Sequence, residues 1–244
     1  MLLRIISPLI ILLFFCGCKP KDNEQEKQFF YKIKVLGLFK PKYADLIFLE
    51  DIIIKTDNNE NIKVAKNKKI FVELINSHLV LKVDNNKFLS DNFYFTTNNF
   101  NSFYNKFTIN LPDKISRNYS GGLIIKSNEE EIVFIISQKT EDLVLSNLSS
   151  ESDDSKIEYL KALSVIIRTY IQYNKGRHKN EDFDFCDNTH CILHYGTEKI
   201  NKNYKEATIS TKGEVLTYNN NLINVFFTGS CGGVTYTPSQ VWNN

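Results

Sequence analysis

Apolar and polar residues alternate through much of the first half of this chain. Phe30-Tyr31-Lys32-Ile33-Lys34-Val35 and His78-Leu79-Val80-Leu81-Lys82-Val83 carry apolar side chains largely at every second position. That is the period of a half-buried strand. Breaks such as Asp57-Asn58-Asn59 and Asn98-Asn99 separate the runs as turns. β structure is therefore predicted from Phe30 to about Lys139, with no repeat of fixed period. At Glu141 the period changes. Leu143, Leu145 and Leu148 predict a short helix over 141–150. Ser155-Lys156-Ile157-Glu158 reads as a capping box, in which Ser155 and Glu158 satisfy each other's orphan backbone donors. Behind it, Ile157, Leu160, Leu163, Ile167, Tyr170 and Ile171 recur at three- and four-residue steps, an amphipathic helix from about Lys156 to Tyr173 that Gly176 ends. β character returns with Glu214–Tyr218, the turn Asn219-Asn220-Asn221, and Leu222–Thr228. The fold class that follows is α+β, mostly β with a short helical region at about 141–175.

The first residues change the picture of where such a chain works. Arg4 precedes an apolar run from Ile5 to Phe15, then Cys16-Gly17-Cys18. One positive charge, a short apolar stretch and a small residue before the break describe a secretory signal. The run is too short to span a bilayer as a helix, which takes roughly 20 apolar residues. Phe15-Cys16-Gly17-Cys18 resembles a bacterial lipobox, with lipid on Cys18. The expected layout is a signal peptide over 1–17, a polar tether over 18–28, a β-rich region over 29–140, and a second region over 141–244. The expected location is the cell envelope, anchored to a membrane through the lipid.

Charge excludes a class of partner. The 244 residues hold 30 basic and 28 acidic side chains. Loss of Arg4 with the signal leaves 29 against 28, a net of +1. Such a balance draws neither nucleic acid nor an anionic membrane surface. Roughly 215 residues follow the tether, enough for a real core.

The densest chemistry lies in Cys186-Asp187-Asn188-Thr189-His190-Cys191, with His194 three residues on. Outside the cytoplasm such a pair reads as a disulfide; as a set of thiols and imidazoles it also reads as a metal site or a reactive thiol. Cys231 lies in Gly229-Ser230-Cys231-Gly232-Gly233, where the glycines let backbone approach a ligand or simply form a turn.

Three motifs in order carry a resemblance. Tyr159-Leu160-Lys161-Ala162 through Arg168-Thr169-Tyr170 resembles the helix "EALKAQAVAARTY" of the SpoIID/LytB family, which contains stage II sporulation protein D and the amidase-enhancer proteins. Cys186 to Gly196 resembles its "CDTTHCQVYxG" loop. Ala207 to Trp242 resembles its C-terminal pattern, matched at Thr211, Gly213, Leu216, Tyr218, Ile223, Ser230, Gly232, Gly233, Thr235, Val241 and Trp242.

The resemblance implies a protein directed at peptidoglycan. Sporulation members are lytic transglycosylases that cut between N-acetylmuramic acid and N-acetylglucosamine; a member without catalysis would bind glycan or enhance a cell-wall amidase. The family's catalytic Glu falls at Glu151, with Glu158 as the alternative. Such an acid must start protonated, so its site should be partly apolar. Asp153 and Asp154 would raise its pKa by like-charge repulsion if they lie close. His194, Ser230, Gly232, Gly233 and Thr235 are implied on the glycan side of the cleft. Cys186 and Cys191 are implied either as a disulfide or, with a histidine such as His178, as a structural zinc site; catalysis itself needs no cofactor. The chain departs from the family pattern at Ser152-Asp153, where Met-Pro is usual, at Ile192 and His194, where Gln and Tyr are usual, and at Cys231, where Ser is usual.

Overall fold

The computed structural model describes residues 30–97, 106–153, 156–227, 233–234 and 236–241. The signal, the tether and Cys18 lie outside them. Twelve strands come first. They are β1 (Phe30–Val35), β2 (Tyr43–Phe48), β3 (Ile52–Thr56), β4 (Asn61–Val64), β5 (Lys69–Ile75) and β6 (His78–Val83), then β7 (Asn86–Ser90), β8 (Asn92–Thr97), β9 (Lys106–Leu111), β10 (Ile115–Ser120), β11 (Gly122–Ser127) and β12 (Ile132–Lys139). Helices α1 (Thr140–Glu151) and α2 (Ile157–Tyr173) follow, then β13 (Phe185–Cys186), α3 (Lys202–Ser210), β14 (Thr217–Tyr218), β15 (Asn221–Leu222) and α4 (Pro238–Val241). The chain is α+β and mostly β, as the hydrophobic pattern predicts.

Two sheets, antiparallel except where β13 joins β1, form a sandwich. One runs β13-β1-β12-β11-β8-β3-β4, the other β10-β9-β2-β5-β6-β7. Alternation drives this directly: β1, β2, β6 and β9 each bury every second residue, so each strand has one face to hide and one to wet. The buried faces meet across the gap, where Phe48 of β2 stacks on Phe95 of β8 at 5.3 Å.

The helices extend the second layer past β10, its edge strand. Gln138, in phase with the core residues Phe134 and Ile136 of β12, is fully buried and reaches the loop after β13. The Tyr119 ring of β10 packs at a tilt against His194 of that loop, with centroids 5.8 Å apart. The loop is stitched to β1 as well. β13 pairs with β1 in parallel, Ile33 opposite Phe185 and Lys34 opposite Cys186, and the Asp187 carboxylate accepts the Leu36 N–H at 2.8 Å. One apolar core runs from the sandwich into α1 and α2.

α2 begins within a residue of the periodic pattern and ends with it. Leu160, Leu163, Ile167 and Ile171 are buried, each worth about 1.5–3 kcal/mol. Its start differs from expectation: Lys156 is the N-cap and no side chain caps the helix. Glu158 instead pairs with Lys161 at 2.8 Å, an i,i+3 pair one turn along the surface. Ser155 lies outside the described residues. The predicted hairpin is present but short, with Asn219 and Asn220 at φ 49° and 62° forming its turn. Among the described residues, no helix is long and apolar enough to cross a membrane.

Candidate active site and cysteine–histidine cluster

α1 is buried on nearly all sides, including Asp142, Ser146, Asn147 and Ser149. Buried polar groups need partners, and several of these point at the loop after β13 or back on the helix. Asn147 Nδ2 donates to Leu193 O at 2.6 Å. Ser149 Oγ donates to Ser146 O, and the Ser150 hydroxyl accepts the Tyr195 N–H at 2.9 Å. Arg168 of α2, fully buried, fixes the other end. Its guanidinium grips Glu141 of α1 in a bidentate pair at 2.9 and 2.7 Å and donates to Glu214 O at 3.0 Å and Thr208 O at 3.4 Å. A planar fork suits this task as an ammonium does not. Arg168 stands in a motif visible in the sequence, but nothing in the pattern reveals that it joins α1, α2, α3 and the following turn.

Glu151 is the last residue of this fixed helix and is half-buried. Burial raises its carboxyl pKa, opposed by the hydrogen bond from the Leu193 N–H. Its place at the negative end of α1 acts in the same direction as burial. Asp153 plays no part in this: its carboxylate is turned to Lys199 Nζ at 2.7 Å. Asp154 lies outside the described residues. Glu158, the alternative acid, has an exposed side chain bound to Lys161. The burial of Glu151 favours its protonated form.

A cavity of about 240 Å3 opens between β10 and the end of α1, with Ser116, Arg117, Ser150, Tyr195, Glu198 and Lys199 in its wall; Glu151 follows Ser150 in the chain but does not itself line it. His194, expected on the glycan side, is not there. It is fully buried, because alternation along the loop turns it inward and Tyr195 outward. Its Nε2 lies 3.0 Å from Gln138 Oε1. Gln138 spends its amide donor on Ser120 O at 2.9 Å, so the proton of that pair sits on His194 Nε2. Burial depresses the His194 pKa to about 4. Ile192, where the family pattern has Gln, is also buried. Gly233 is exposed; Ser230, Cys231, Gly232, Thr235 and Trp242 lie outside the described residues.

Among the described residues, Cys186 and Cys191 form no disulfide; both thiols are free and buried. Four donors converge instead, from His178, Cys186, His190 and Cys191, all within 4.8 Å of one another. His178 Nε2 lies 3.1 Å from Cys191 Sγ, and His190 Nδ1 lies 3.5 Å from Cys186 Sγ and 3.3 Å from Cys191 Sγ. The other nitrogen of His178 is held by Glu181 at 2.7 Å, and its ring stacks on Phe183 at 4.7 Å. Burial and the neighbouring thiol push the Cys186 thiol up to about 12. His190 is the member that the ligand set named from the sequence lacks, though it sits between the two cysteines.

Residues 128–218 match the family model described as SpoIID, stage II sporulation protein. That segment, which holds α1, α2, Glu151 and the whole cluster, is the part of the chain that is similar to the SpoIID family. An uncharacterized protein of Brachyspira hyodysenteriae is 28% identical over 217 residues, 87% of this chain and 52% of that protein. The amidase enhancer of Bacillus subtilis is 34% identical over 88 residues, 36% of this chain and 12% of that protein. The chain thus spans about half the length of the first relative and a small part of the second. No solved structure matches it.

Proposed function

We propose that this chain works on the bacterial cell wall as a lytic transglycosylase, with Glu151 as acid and then base. The observation that carries the reading is a half-buried carboxyl, its pKa raised by burial, at the fixed end of α1, one residue past the Ser150 that lines an open cavity. The protonated carboxyl gives its proton to the oxygen between N-acetylmuramic acid and N-acetylglucosamine. The C1–O bond breaks, and the glucosamine half leaves with a hydroxyl. The carboxylate then takes the proton of the muramyl 6-hydroxyl, whose oxygen bonds to C1 and closes a 1,6-anhydro ring. Glu151 ends protonated, and no water is consumed. A positioned acid of this kind is worth about 10²–10⁴-fold in rate. Glu151→Gln should lose that factor when anhydro-muramyl ends are counted by mass spectrometry after digestion of purified glycan; full activity in the variant would end the reading.

A second reading is a peptidoglycan-binding lipoprotein that enhances an amidase without cutting glycan. It is favoured by the likeness to an amidase enhancer and by the burial of Ile192 and His194 at positions implied to touch glycan. Stimulation of a cell-wall amidase by Glu151→Gln protein, with no anhydro product from the parent, would decide for it. Under either reading the chain works in the envelope, anchored through Cys18, and labelling with a fatty-acid probe that Cys18→Ser abolishes is the matching test.

The His178, Cys186, His190 and Cys191 cluster fits a structural zinc ion. Two thiols and two imidazoles are the donors zinc prefers in closed tetrahedral sites, and the Glu181 contact orients His178 as outer carboxylates orient ligating histidines. Bound there, zinc would supply a cross-link between β13 and the turn that holds His178, and no reaction chemistry. Purified protein should contain about one zinc per chain by elemental analysis. Cys191→Ser should lose it and unfold at a lower temperature, about 2–4 °C for each kcal/mol lost at this size. Metal-free parent with an unchanged Tm after chelation would remove zinc from the account.

A further inference from the structure

The cavity at the end of α1 has one wall that the family segment does not supply. Residues 128–218 carry Ser150, Tyr195, Glu198 and Lys199. Ser116 and Arg117 come from β10, before that segment begins. The two walls are locked together. The Thr197 N–H donates to Asn118 O at 2.9 Å, and the Asn118 N–H donates to Glu198 Oε1 at 2.5 Å. Gly196, at φ +94°, lies so close that a Cβ there would meet Asn118 O at 2.5 Å. Arg117 then lies over the Tyr195 ring, 4.9 Å from its centroid, and fixes an aromatic side chain that is 42% exposed.

The chemistry of the wall selects its occupant. Both cations already have counter-charges: Arg117 has Asp187 at 3.5 Å and Lys199 has Asp153 at 2.7 Å. Glu198 adds a carboxylate. An anion gains little from such a balanced wall. A neutral ligand with an apolar ring face and many hydroxyls gains more, since the wall offers an aromatic plane together with hydroxyl, guanidinium, ammonium and carboxylate groups at its rim.

We infer that this cavity is a saccharide subsite, with Tyr195 as the platform for one pyranose ring and Arg117 of β10 as the residue that sets it. The inference rests on the glycan-directed reading of Glu151 and adds that the N-terminal sandwich shapes sugar selection. It predicts that a wall outside the family segment decides how tightly glycan is held.

The test uses the full chain with Glu151→Gln, titrated with the tetrasaccharide of β-1,4-linked N-acetylglucosamine. Chemical-shift changes should gather at 115–117 and 195–199. Tyr195→Ala should weaken binding at least about tenfold, the loss of one good stacking contact, and Tyr195→Phe should keep it. Arg117→Gln should weaken binding too, with the Tm of each variant confirming its fold. Shifts elsewhere, no binding of the tetrasaccharide, or undiminished binding by a folded Tyr195→Ala would each overturn the subsite. If the tetrasaccharide binds as described while the parent yields no anhydro product, the subsite stands and the catalytic role of Glu151 falls.

Discussion

His194 is a neutral imidazole enclosed by Tyr119, Gln138 and, further out, the Arg117 guanidinium. Its Nδ1 meets no group beyond the residue's own backbone, so a proton added there would enter a buried, cation-flanked site. The folded pKa of about 4 lies below the ordinary 6.5. Between those values the unfolded chain binds the proton and the folded chain does not. The His194 contribution to stability should therefore be flat above about pH 6.5 and fall as pH drops toward 4, by roughly 3 kcal/mol at most. Urea unfolding at a series of pH values reads this slope, and His194→Gln should remove it while leaving the alkaline side unchanged in shape. A slope that survives the substitution would place the titration elsewhere. Nothing in Cys191-Ile192-Leu193-His194 announces such burial. A histidine beside two cysteines reads as surface chemistry, and only the stacking of the loop on β10 and β12 turns it into core.

The elements were more legible than their assembly. Period-two alternation made the strands plain, and period 3.6 placed α2 almost to the residue, because both patterns record which side chains meet the core. α1 was visible only through three leucines, since its polar residues are buried as well and blur the stripe. α3 and β13 were not foreseen: β13 is two residues long and exists by pairing with β1. For the site, Glu151 and the cysteines could be named, but the β10 wall could not, because no local signal links residue 117 to residue 195. That link runs through Gly196. Gly196→Ala would force a Cβ against Asn118 O and adopt a φ that L side chains avoid. It should cost about 1–3 kcal/mol by thermal unfolding and loosen the loop, seen as faster amide exchange at Thr197. An alanine variant as stable as the parent would mean that the loop and β10 are not rigidly joined.

Across the whole molecule, β12 is the strand on which both regions depend. On one side it pairs with β1 from Phe30↔Lys139 to Val35↔Phe134, and on the other with β11 from Gly122↔Ser137 to Ser127↔Ile132. The segment matched to the SpoIID family contains β12 but neither neighbour. A fragment over 128–244 would leave both edges of β12 unpaired, and unmet backbone groups there cost about 1–3 kcal/mol each if they stay buried. β13 would lose β1 as well, and with it the bond from Leu36 N–H to Asp187. Phe134, Ile135 and Ile136, all buried in the intact chain, would face water or a second fragment, the situation that drives edge-to-edge association. The fragment should therefore show no cooperative thermal transition and a flat near-ultraviolet circular dichroism spectrum, while the chain from residue 30 onward unfolds in one step. A sharp transition in the isolated fragment would instead make the sandwich a separate unit laid against a self-sufficient core, and would move the control of the cavity at the end of α1 from shared architecture to docking.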